Sequence, residues 1–233
     1  MRSDGSGSTR SGAIRPRLVV DEVYDRLVEL IVDGRIAADA PLGIDALSRE
    51  LGVSTSPIRE ALARLESTGL VQRMALRGYR VAPELTPAEL GQLLDARLLI
   101  EPAAASIAAS RHPTSNLAAD LDETIRVLRD APRGPTFESF REYYEADRRF
   151  HRAIIAGTGN PFIAHAYDAL GGQFQRFRLF SGRGVTDADA TIAEHGAIRD
   201  AISAGDPAGA AEAMTAHLDG VTARSLSELA DVV

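Results

Sequence analysis

The sequence predicts a mainly α protein in two parts: an N-terminal winged helix-turn-helix of three helices and a small β-hairpin wing, then an all-α antiparallel six-helix bundle. Three observations carry this reading. Residues 47–81 set two short amphipathic helices about a Gly-containing turn and follow them with two short strand-like runs. Beyond Pro83, Thr86 and Pro87 the apolar residues repeat at helical spacing, with no strand-like alternation. Pro and Gly breaks divide that second part into segments of ordinary helix length.

The expected organisation is a Gly-, Ser- and Arg-rich disordered tail over 1–16, a winged helix over 17–82, a linker over 83–87 and a helical domain over 88–233. Asp45, Leu47 and Leu51 suit a short helix that Gly52 ends in the left-handed conformation. Ser54 then caps the next helix, and Pro57 falls in its first turn, where a missing amide costs nothing. Ile58, Ala61, Leu62 and Leu65 turn inward at helical spacing, and Gly69 stops the helix. Residues 70–74 and 79–82 pair as a hairpin with Arg77 and Gly78 at its tip. Helices are expected over 87–110, 114–130, 136–156, 161–181, 187–204 and 207–230, with Asn160 and Asp206 as N-caps before Pro161 and Pro207.

The outward start of the second short helix carries Ser54, Thr55, Ser56 and Arg59. Hydroxyls and a guanidinium at a helix start suit phosphates and base edges of double-stranded DNA in a major groove. Arg49 in the preceding helix and the basic wing tip, Arg77 and Gly78, extend that surface toward a minor groove. A net charge of −7 fits such a surface once it is divided: residues 49–80 hold 6 Arg against 3 acids, while residues 83–233 hold 14 against 22.

With 233 residues and 45% hydrophobic content, both parts can bury a core. The chain has no Cys, which removes disulfides and thiolate metal sites and makes a reducing cytoplasm the expected location. No apolar run approaches the length of a membrane span, so no membrane partner is expected.

Four polar residues fall on apolar stripes. Asp147 and His151, four apart, share a face with Phe140, Tyr143, Phe150 and Ile154. His195 lies on the stripe of Ile192, Ile198 and Ile202, and His217 on that of Ala210, Met214 and Val221. His195 precedes Asp206 by 11 residues and His217 follows it by 11, so an antiparallel hairpin there sets both imidazoles at one height. A buried carboxylate is costly unless paired or bound to metal. Three imidazoles and a carboxylate suit a divalent metal, zinc first, with nickel or manganese as alternatives. Arg97, among Leu93, Leu94 and Leu98, either pairs with Glu101 or reaches inward to clamp a carboxylate. Asn160 either caps its helix or lines the same cavity.

The run GVSTSPIREALARLESTGLV at 52–71 resembles the winged-helix signature of GntR-family bacterial transcription regulators. DRRFH at 147–151, EH at 194–195, MTAHL at 214–218 and RLLIEPAAA at 97–105 resemble the FadR-type effector domain of that family, called FCD. The resemblance implies operator contacts at Ser54, Ser56, Arg59 and Arg77, and a metal held by Asp147, His151, His195 and His217. Thr55 stands where the family pattern has a base-reading Arg, which leaves the half-site sequence open. It further implies a non-enzymatic regulator, a repressor acting as a homodimer on a short palindrome, with a small carboxylic acid effector bound at the metal and Arg97. The signal is expected to pass through the hinge at 83–87. Two alternatives are a metal-dependent hydrolase with Glu194 as base, and a regulator whose metal is purely structural.

Overall fold

The computed structural model describes residues 19–75, 78–111, 116–180 and 185–230. The tail over 1–16, His112 and Arg77 lie outside the described residues. The described residues are mostly helical, with one small antiparallel sheet.

The winged helix opens with α1 (Val19–Val32), followed by β1 (Pro41–Leu42), α2 (Ile44–Leu51), α3 (Thr55–Ser67), β2 (Val71–Met74) and β3 (Gly78–Val81). Gly52 ends α2 at φ 68°, a left-handed angle that a Cβ disfavours. Ser54 takes the extended N-cap conformation before α3, but its side chain makes no capping hydrogen bond; Ser48 Oγ instead bonds Val53 O across the turn at 2.5 Å. Ile58, Ala61, Leu62 and Leu65 of α3 are fully buried against Leu27 and Ile31 of α1. The hairpin pairs Val71 with Val81 and Met74 with Gly78. One strand escaped the sequence reading: β1 pairs with β3, so the sheet order is β1-β3-β2. Two residues, one of them Pro41, are too few to show alternation.

The remaining helices are α4 (Pro87–Ser110), α5 (Leu117–Asp130), α6 (Phe137–Gly157), α7 (Pro161–Phe180), α8 (Ala188–Ser203) and α9 (Pro207–Ala230). Thr86 and Glu89 form a reciprocal capping box at the start of α4, with Pro87 at its first position. Four buried alanines of α4, Ala104, Ala105, Ala108 and Ala109, allow close approach to a core of Phe150, Ile154, Ile198, Ile202, Met214 and Leu218. Among the described residues no helix is long and apolar enough to cross a membrane.

Phe137 and Phe140, at the first turn of α6, are buried in the winged helix's own core. Each contributes about 1.5–3 kcal/mol by burial, so the two parts share apolar surface as well as a linker.

Candidate metal centre and nucleic-acid interface

His151 comes from α6, His195 from α8 and His217 from α9. One ring nitrogen of each lies within 4.8 Å of the others, and all three rings are buried. The turn that aligns His195 with His217 is built from Gly205 at φ 63° and Asp206, whose Oδ1 accepts the Gly209 N–H at 3.0 Å. The two imidazole centroids end 4.8 Å apart. Asp147, one turn before His151, places Oδ1 3.7 Å from His195 Nε2 and 4.0 Å from His151 Nε2.

Carboxylates orient two of the rings from behind. His151 Nδ1–H donates to Glu101 Oε2 at 2.6 Å, and His217 Nδ1–H donates to Glu194 Oε2 at 2.7 Å. Those bonds select the tautomer that puts the proton on Nδ1 and leaves the Nε2 lone pair of each ring free for a metal. His195 is held differently, stacked on Phe150 with centroids 3.9 Å apart and planes at 3°. Burial would raise the Glu101 carboxyl, but the Arg97 guanidinium and His151 outweigh it and hold it well below the usual carboxylate range. Glu194 is likewise held at about 2: partial burial opposes the shift, while bonds from His217 and Arg224 drive it. Arg224 grips Glu194 through both terminal nitrogens, at 2.8 and 2.9 Å, and donates Nε to Asp187 at 3.0 Å. Burial lowers the His217 pKa, favouring the neutral imidazole that binds metal. Three converging imidazoles, a nearby carboxylate and carboxylates behind two rings form a donor set that fits a divalent ion.

Arg97 is 2% exposed and donates Nε to Glu101, so the i,i+4 pair forms and also ties Arg97 to His151 through one carboxylate. Tyr167, buried on α7 in the same apolar cluster as Phe150, has its hydroxyl pKa raised by burial first and then by the charges of Glu101 and Asp147. Asn160 is exposed, and its Oδ1 accepts the Phe162 N–H at 3.0 Å. Its side chain is a helix cap there and is not joined to the cluster, which corrects its reading as a cavity residue: one carbonyl oxygen serves the helix start. The sequence reading missed the orienting roles of Glu194 and Arg224 and the position of Tyr167. No stripe marks Glu194, since its role exists only once α9 packs beside α8. As a general base it is poorly suited, because a carboxylate held at about 2 retains little affinity for a proton.

On the winged helix, Ser54, Ser56 and Arg59 are exposed at the start of α3, with Thr55 half-buried among them. Arg49 is exposed in the last turn of α2, and Gly78 is exposed at φ 82° where the wing returns. Arg49 and Arg59 make no ion pair with any described residue. Arg64 at the far end of α3 is instead paired to Asp21 at 2.7 Å and lies over the Tyr24 ring at 4.5 Å, and Arg80 is paired to Asp39 at 3.0 Å. Arg49 and Arg59 thus leave two guanidinium groups free of ion pairs with described residues on the helix-turn-helix, a charge that suits phosphate contact.

A winged helix presenting that surface defines a class, the DNA-binding transcriptional regulators. The chain belongs to the GntR family: residues 19–81 match "Bacterial regulatory proteins, gntR family" and residues 92–220 match "FCD domain". It is 29% identical to an HTH-type transcriptional regulator, BphR, of Paraburkholderia xenovorans, over 87% of this chain and 83% of that one. It is 28% identical to a probable D-xylose utilization operon transcriptional repressor of Paenarthrobacter nicotinovorans, over 86% of this chain and 85% of the relative. Its fold is similar to that of McbR/YncC of E. coli, with TM-score 0.68 at 21% identity, covering 90% of this chain and 98% of the other. The family is one of transcription regulators that bind operator DNA, not of enzymes.

Proposed function

We propose that this regulator is a repressor, acting as a homodimer in the cytoplasm, whose grip on a short palindromic operator is set by a small carboxylic acid bound at a metal centre. The observation that carries the reading is the buried convergence of His151, His195 and His217 with Asp147 alongside. These four residues hold a divalent ion, zinc by the chemistry of the donor set, with nickel or manganese acceptable to the same atoms. Bound there, the ion supplies a Lewis-acidic position for one oxygen of an organic acid. Arg97, joined to the cluster through Glu101, supplies fixed positive charge for the acid.

The DNA-reading part is residues 17–82, with 83–87 as linker and 88–233 as the effector and dimerisation part. Ser54, Thr55, Ser56 and Arg59 meet the major groove, with Arg49 on a phosphate and Arg77 and Gly78 at the wing. Thr55 reads its base step without a guanidinium, so the operator differs from that of relatives with Arg there. The relative named as a repressor supports that sign of control.

The test is operator binding by the zinc-loaded protein against a panel of di- and hydroxycarboxylic acids. One acid should weaken binding by about 5–150-fold, the usual span of allosteric coupling, and Arg97→Gln should remove the response. If chelation unfolds the bundle while no acid changes operator affinity, the metal is structural and the effector role is refuted.

A further inference from the structure

Helix α6 is a member of both halves of the molecule. Its first turn puts Phe137 and Phe140, edge to face at 5.5 Å, into the buried cluster that also holds Leu27, Ile31 and Leu65 of the winged helix. The same turn is tied by polar contacts: the Phe137 N–H donates to Asp33 Oδ1 at 2.8 Å, and Arg141 pairs with Asp25 of α1 while lying over the Phe137 ring. A carboxylate on a free helix N-terminus is a favourable cap, here supplied by the other half of the chain. Farther along, Asp147 and His151 face His195 and His217. Phe137, Tyr144 and His151 are spaced by seven, as are Phe140 and Asp147, so the two phenylalanines and the cluster residues lie on one side of one helix. Phe137 and His151 are 14 residues apart, about 21 Å along the axis.

We infer that α6 is the element that couples the three-histidine cluster to the DNA-reading head, through the latch of Asp25, Asp33, Phe137, Phe140 and Arg141, in place of the linker at 83–87. A packed helix moves as a unit and interfaces repack between discrete arrangements, so a displacement at His151 reaches α1 without crossing the linker. The inference rests on the proposed function only for what moves the cluster end; the coupling itself is a property of the metal-free chain.

The experiment is hydrogen–deuterium exchange on the full-length chain, first with metal chelated. His151→Ala cuts the contact of α6 with Glu101, and Asp33→Ala with Phe137→Ala and Arg141→Met cuts the latch, removing the acceptor, the buried ring and the guanidinium; His151→Asn substitutes if the Ala variant does not stay folded. In the intact-latch background the His151 change should alter exchange in the 19–32 peptides by about three-fold or more, and in the cut-latch background it should leave them unchanged. No effect on 19–32 in the intact background, or an equal effect in both, overturns the inference, as does an effect confined to 83–87. A second arm adds zinc. Slower exchange around His151, His195 and His217 with slower exchange at 19–32, the latter lost when the latch is cut, supports it. Zinc that protects the cluster but leaves 19–32 unchanged in the intact-latch chain overturns it. Zinc that protects nothing at the cluster refutes the metal reading instead, and the metal-free arm still decides the coupling.

Discussion

Zinc should stabilise the chelated protein against heat, and His195→Ala should remove most of the effect. The donors come from α6, α8 and α9, so an unfolded chain cannot assemble them and binding energy appears as folding energy. At free zinc about 100 times the dissociation constant the gain is about 2.7 kcal/mol. In a chain of this length each kcal/mol moves the midpoint by about 2–4 °C, for a rise on the order of 5–11 °C. His195 is fully buried, lies 3.7 Å from Asp147 and packs flat on Phe150. Its loss removes one imidazole donor and opens a cavity, so the metal-free variant should melt lower and respond to zinc by less than half as much. Thermal unfolding by circular dichroism, with and without chelator, reads both quantities. His165→Ala is the control, since His165 is exposed and outside the cluster, and it should keep the full rise. A His195→Ala protein with an undiminished zinc-dependent rise, equal to that of the control, would refute the ligand assignment.

Three further outcomes are expected. Arg59→Ala should weaken binding to the protein's own promoter DNA and reduce the salt slope by about one, measured by fluorescence anisotropy; an unchanged slope removes Arg59 from the phosphate contacts. Arg224→Met should lower zinc affinity by about 10–100-fold, because Glu194 loses both guanidinium bonds and with them its hold on His217; calorimetric titration checks it, and wild-type affinity would show that the outer pairs do not position the ring. Gly52→Ala should lower stability by about 1 kcal/mol, since a Cβ there meets nothing within 4 Å and only the left-handed φ of 68° is at stake. A denaturant midpoint equal to the parent's would contradict that strain.

The helices of the bundle were legible because their signals are local. Pro87, Pro161 and Pro207 begin α4, α7 and α9 at the positions the sequence marks, and Gly205 with Asp206 makes the turn that the equal spacing of His195 and His217 requires. That turn brings two of the three imidazoles together before any distant contact is considered. Glu194 was legible only as a residue beside His195; that it orients His217 across the hairpin depends on a neighbouring helix's rotation, which no spacing within α8 encodes. Asn160 shows the converse. Its local signal, a cap before Pro161, describes its side-chain hydrogen bonds to the Phe162 and Ile163 N–H groups.

The sequence by itself determined the helices and the wing hairpin, the exposed start of α3 and the four inward polar residues, because helical period, capping and turn chemistry act over a few residues. The tertiary structure alone decided which carboxylate stands behind which imidazole, and that Phe137 and Phe140 close the core of the other half. Those choices come from packing between segments as distant as Asp33 and Phe137, where shape and charge across an interface, not periodicity along the chain, select the partner.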